Sequence, residues 1–193
     1  MKRRLPEPAS AWLRLALPAL AYLTAHMALG RLPGPWGDAS TILLLPAALW
    51  YARRDGEPRP RLRPGPALAG LLAGVALGWV TGLLPLRGGA SSPTGAPGML
   101  ALCLTGPLCE EAVYRAVALR RGRALMPPWA ALAVSSALFA AGHGAPAQMT
   151  AAFAAGLIFG LFYLWGDSVC PGAGLTAAAL CHMAANAALF FKG

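Results

Sequence analysis

Acidic residues are scarce in this chain, seven Asp and Glu against 16 Lys and Arg, and charge of either sign makes up only 12% of it. With 57% hydrophobic residues beside so little charge, an ordinary soluble domain is excluded and a membrane protein is expected. The four cysteines include no CxxC pair, which removes a structural zinc site of that kind and a dithiol redox motif. HExxH is absent too, and no Ser or Cys stands in a setting that makes it a persuasive nucleophile. There is no internal repeat of the transporter type. The net charge of +9 does not mark a nucleic-acid surface, because the bases fall in short clusters between apolar runs. Such clustering is a topology signal.

Seven apolar runs are present, at about 9–30, 38–52, 66–86, 98–119, 127–143, 147–165 and 171–191. A spanning helix needs roughly 20 residues at about 1.5 Å rise each. Most of the runs qualify, while the second and fifth are short. The expected fold is therefore all-α, a polytopic transmembrane helix bundle of about seven spans (six to eight), forming one integral membrane domain over 1–193. The third run carries Gly70, Gly74, Gly78 and Gly82 at four-residue spacing, a smooth face suited to close helix packing.

The basic residues orient the bundle. Lys2, Arg3 and Arg4 precede the first run, Arg53, Arg54, Arg59, Arg61 and Arg63 crowd the linker after the second, and Arg120, Arg121 and Arg123 follow the fourth. Alternate loops hold only Arg31, Arg87 and Lys192. By the positive-inside rule the N-terminus is cytoplasmic, in the inner membrane of a cell. One loop disagrees, since 166–172 should be inside yet has no base. Contact with anionic lipid is the simplest further role for the arginine-rich linker. A cleaved signal peptide ending near Ala28-Leu29-Gly30 is the rival reading of the first run, and it fits less well with the length of the run and the spans that follow.

Within this apolar chain Leu108-Cys109-Glu110-Glu111-Ala112-Val113-Tyr114-Arg115 stands out. On an insertion scale each charge costs roughly 2.5–3.5 kcal/mol at mid-helix, and each Leu or Val returns only about 0.3–0.6. Other helices must then supply polar partners, and an intramembrane ionisable cluster is a functional-site hypothesis by default. Glu111 and Arg115 are spaced i, i+4 with the acid first, the favourable order for a local ion pair. Glu110, turned about 100° away, is left to address a different neighbour. Phe139 and His143 have the same spacing on the fifth run, and His182 and Asn186 on the seventh. Taken singly, His143 and Asn186 read as helix-bridging residues. Together with two of the seven acids they make a set richer than isolated bridges require.

A carboxylate and a His can hold and deprotonate a water. A second His with an amide can donate hydrogen bonds to a tetrahedral oxyanion, typically for about 3–4 kcal/mol each. Alternatively Glu110, His143 and His182 could form a three-ligand zinc site with an open position.

These residues, Glu110-Glu111-x-x-x-Arg115, Phe139-x-x-x-His143 and His182-x-x-x-Asn186 in this order, resemble the three motifs of the CPBP family of intramembrane proteases, also called Abi or CAAX-protease-like. The resemblance implies a bacterial member and a glutamate-dependent endopeptidase whose motifs lie within 98–191. Carried over by position, Glu110 and His143 would activate the water, His182 and Asn186 would form the oxyanion hole, and Glu111 with Arg115 would orient Glu110. No cofactor is expected, with a divalent metal such as zinc as the alternative. The implied partners are membrane lipid and a membrane-associated protein or peptide substrate, with no nucleic acid. Sorting-signal processing and bacteriocin immunity are the two biological roles this suggests. A non-enzymatic immunity or scaffold protein is the competing class.

Overall fold

The structure is a computed structural model that describes residues 8–32, 40–83 and 95–192. The basic arm at residues 2–4, Arg87 and its loop, and most of the 31–37 break lie outside the described residues. Among the described residues there are helices and no strands, as expected for an all-α fold. The helices are α1 (Pro8–Leu29), α2 (Ser40–Arg54), α3 (Pro64–Thr81), α4 (95–122), α5 (Pro128–Ala140), α6 (Pro146–Val169) and α7 (Ala173–Lys192). Three are long and apolar enough to cross a membrane, namely α3, α6 and α7 through Phe191. The short second and fifth runs form helices of 15 and 13 residues, roughly 20 Å each at the usual rise and so less than a hydrocarbon core.

Proline opens several helices at the position where its missing N–H is harmless. It does so in α3, α5 and α6. The start of α7 is held by Asp167, whose Oδ1 accepts the N–H groups of Gly172 and Gly174, both at 3.0 Å. α4 is continuous but irregular, with π-helical stretches at Ala101–Thr105 and Ala112–Leu119. Such i→i+5 segments are rare and concentrate at functional sites.

The second π stretch is the hub of the bundle. α1, α2, α5, α6 and α7 all pack against it, and every residue from Ala112 to Leu119 is buried. α3 sits further out, against α7. Its glycines make that approach possible, because an added Cβ at Gly70 would meet the Ala177 carbonyl oxygen at 2.6 Å, and one at Gly74 or Gly78 would collide with the carbonyl of Cys181 or Ala185. The expected smooth glycine face is thus used to seat the helix that carries His182.

Contacts sort the loops into two ends. At one end Arg121 binds Asp55 and the Tyr51 hydroxyl and also reaches the Arg14 carbonyl. Arg61 N–H donates to the Gly172 carbonyl at 2.9 Å, and its guanidinium approaches Cys170 Sγ at 3.6 Å. At the other end Ser40 meets His26 at 3.1 Å, and Thr41 meets Thr105 at 2.8 Å. The base-free loop 166–172 therefore lies against the arginine-rich linker, which supplies the positive charge that the loop's own sequence lacks.

Candidate active site

Glu110 and Glu111 sit on the turn of α4 just before its second π stretch. Glu111 is fully buried and both of its oxygens are engaged. Arg115 Nε donates to Oε2 at 3.0 Å, as the i, i+4 spacing predicts. Oε1 faces His182 Nδ1 at 3.0 Å across 71 residues of sequence. The same imidazole presents Nε2 to Glu110 Oε2 at 3.6 Å. The two glutamates thus address opposite nitrogens of one ring, where different neighbours were expected for them. The reason is that α7 runs beside the α4 turn closely enough for His182 to reach both side chains.

Arg115 is held through Nε and Nη1, while its Nη2 is buried without a hydrogen-bond partner among the described residues. Its Nη1 donates to Ser135 Oγ at 2.8 Å, Ser135 in turn donates to the Tyr114 carbonyl at 2.7 Å, and the guanidinium lies 5.4 Å from the Phe139 ring centre. A buried Arg needs this number of partners, since an unpaired buried charge costs several kcal/mol. The His182 ring is fixed by aromatic walls. Phe159 stacks on it at 4.3 Å, and Phe139 meets it edge-on at 5.5 Å.

His143 is placed differently from the expectation. α5 ends at Ala140, so His143 lies in the following turn and not on the helix. Gly142, Gly144 and Pro146 account for the early end, since glycine favours the helix terminus and proline cannot continue it. The i, i+4 relation survives in another form, because His143 Nδ1 bonds the Phe139 carbonyl at 3.2 Å and the two rings meet edge-on at 5.0 Å. Asn186, one turn beyond His182, donates to the Leu102 carbonyl at 2.9 Å. The structure therefore joins Glu110, Glu111, Arg115 and His182 in one polar chain. His143 is attached to that chain through Phe139, and Asn186 through α4.

Among the described residues no group of three His, Cys, Asp or Glu side chains is placed to hold a metal ion, so Glu110, His143 and His182 do not converge as zinc ligands would. Sequence reasoning missed Ser135 and Phe159. Ser135 had a signal, since it and Ser136 are polar residues in an apolar run, but Phe159 looked like any other core residue. An apolar cleft of about 310 Å³ opens between α1 and α2, lined by Leu17, Tyr22, Leu44, Tyr51 and Val113 among others. It touches none of the seven motif side chains directly. Tyr22 links it to the site by meeting Tyr114 edge-on at 6.2 Å.

A family model described as type II CAAX prenyl endopeptidase Rce1-like matches residues 92–188, half of the chain. The chain belongs to that family. It is the CPBP or Abi family whose motifs the sequence resembles, and all seven motif residues fall inside the matched segment. No curated protein and no solved structure matches the chain. Membership makes the Rce1-like chain an intramembrane endopeptidase in the coarse sense, a membrane-embedded hydrolase acting on membrane-associated protein or peptide. Its apolar helices are those of a membrane protein.

Proposed function

We propose that this chain is a multi-pass peptidase of the cytoplasmic membrane, one domain over 1–193, which cuts a membrane-associated protein or peptide by attack of water activated on Glu110 and His143. Its passes number about seven, with the N-terminus and the arginine-rich linker on the cytoplasmic side. The observation that carries this reading is the contrast between the paired glutamates. Glu111 has no free oxygen, whereas the Glu110 carboxylate is 23% exposed and, among the described residues, no donor occupies it within hydrogen-bond distance. Glu110 is thus the carboxylate free to hold a water.

The chemistry follows from those positions. Glu110 takes a proton as the water oxygen bonds to the scissile carbonyl carbon, and returns it to the amine as the peptide C–N bond breaks. His143, whose Nδ1 is spent on the Phe139 carbonyl, keeps Nε2 for the same water. Glu111 accepts the Nδ1–H of His182, so that Nε2 donates to the developing oxyanion only when the ring carries its second proton, and the Asn186 amide has a second N–H to join it. Arg115 secures Glu111. No step needs a cofactor.

Bilayer-reconstituted protein should cleave at least one of two probes, a farnesylated CAAX peptide or an unprenylated membrane-anchored peptide. Glu110→Gln, His143→Ala and His182→Ala should each lower cleavage by about 10²–10⁴-fold in folded protein. Full activity in any one of them would sink the mechanism. Loss of activity to chelators with specific rescue by zinc would move the site to the metalloprotease class. Protection against a bacteriocin that survives Glu110→Gln would favour the non-enzymatic class.

A further inference from the structure

A second buried acid lies outside this site. Glu57 belongs to the 55–63 linker, yet it is only 2% exposed. Its Oε2 accepts the Tyr163 hydroxyl of α6 at 2.7 Å. Arg120 Nη1, from the end of α4, stands 3.7 Å from the same oxygen, beyond hydrogen-bond length. Glu57 Oε1 and Arg120 Nη1 are each buried with no hydrogen-bond partner. An acceptor and a donor left unsatisfied side by side are unusual in a folded interior. Gly56, at φ +92°, allows the approach, since a Cβ there would lie 2.9 Å from Arg120 Nη2.

Both partners lead to the active site. Tyr163 lies one turn beyond Phe159, the residue stacked on His182. Arg120 follows directly on the π stretch that contains Arg115. The linker acid therefore touches the two helices that fix the His182 ring and the Glu111 carboxylate.

We propose that Glu57 is a titratable positioning residue for the protease site. Its deprotonated carboxylate draws Arg120 into contact and keeps Tyr163, clamping α4 to α6 so that Glu111 and Phe159 hold His182 in register, and its protonation releases Arg120. Burial pushes the Glu57 carboxyl up to about 7, against the pull of the Tyr163 hydrogen bond; Asp167 raises it further, and the charges of Arg120 and Arg53 lower it. Those are the titratable and charged groups that face it from α2, α4 and α6. Arg53 also donates to the Glu57 backbone carbonyl at 2.5 Å, and the neighbouring Asp55 is occupied by Arg121. The clamp therefore switches near neutral pH.

The stability consequence has the opposite sign to the activity one. Because the folded-state value of about 7 lies above the ordinary 4.5, the folded protein keeps a proton that the unfolded chain has released between those limits. The contribution of Glu57 is full below 4.5 and is lost as pH rises through about 7.

The test rests on the proteolytic reading for one readout and is free of it for the other. In bilayers, kcat/KM against pH should show a rising limb centred near 7 for the natural chain. Glu57→Gln should remove that limb and leave activity at the low-pH level. Tyr163→Phe and Arg120→Gln, each removing a group that favours the anion, should move the midpoint to higher pH. A limb retained unchanged in Glu57→Gln overturns the proposal. If that variant does not fold, a midpoint unmoved in both other variants overturns it equally. In detergent, the thermal midpoint of the natural chain should fall between pH 5 and 8 by more than that of Glu57→Gln, and identical profiles overturn the titration. Absence of cleavage with the thermal difference intact would count against the protease reading while upholding the titration of Glu57.

Discussion

Glu111 at the middle of α4 and Glu57 at the arginine-rich end are almost equally hidden, at 0% and 2% exposure, yet their surroundings are opposites. Glu111 has a guanidinium on one oxygen and an imidazole on the other, and the guanidinium is itself held by Ser135. Glu57 has one hydroxyl, a cation just out of reach and an empty oxygen. Burial alone therefore does not say what a carboxylate will do. The number of donors brought to it does, because each hydrogen bond or countercharge offsets part of the same desolvation. The centre is built to keep a fixed charge, and the periphery leaves one poised to change.

The sharpest way to break this contrast is to unpair the centre. Arg115→Ala leaves Glu111 buried without its cation and should lower stability by about 3–5 kcal/mol, read by unfolding in detergent; a loss under about 1 kcal/mol would show that the pair is not what holds α4. Glu110→Gln probes the same helix turn with the reverse expectation. Cleavage should drop about 10²–10⁴-fold while the unfolding midpoint stays near that of the natural chain. Next comes the packing that brings His182 to both glutamates. Gly74→Ala should cost about 1–3 kcal/mol, since its Cβ meets the Cys181 carbonyl. Gly65→Ala, with nothing within 4 Å, is the matched control and should change little. At the arginine-rich end the effect should be smallest. Asp55→Asn removes a pair with Arg121 whose side chains are 18% and 24% exposed, so about 0–1 kcal/mol is expected, diminishing in high salt.

Much of this could be read before any coordinates. The apolar runs correspond to the helices, the glycine stripe to the α3–α7 contact, and Glu111 with Arg115 to a real ion pair, because each depends only on spacing along one helix. The sharing of His182 by both glutamates could not be read. It depends on how α7 lies beside α4, and on the five helices that surround the π stretch and bury every residue from Ala112 to Leu119. Glu57 was hidden for the same kind of reason. In sequence it is one acid among arginines and prolines, and nothing local says that Tyr163, 106 residues away, will cover it. His143 shows the converse, since its spacing from Phe139 holds while glycines and a proline end the helix before it.

By itself the sequence determined the class of the molecule and the candidates for its chemistry, since apolar content and a charged cluster in an apolar run constrain any fold the chain can adopt. Helical periodicity also determined which residues share a face. Only the tertiary structure decided which carboxylate is saturated, which is open to water and which is poised near neutrality. Those properties come from donors on other helices, and the free energy of a buried charge is the sum over all neighbours in space, whatever their distance along the chain.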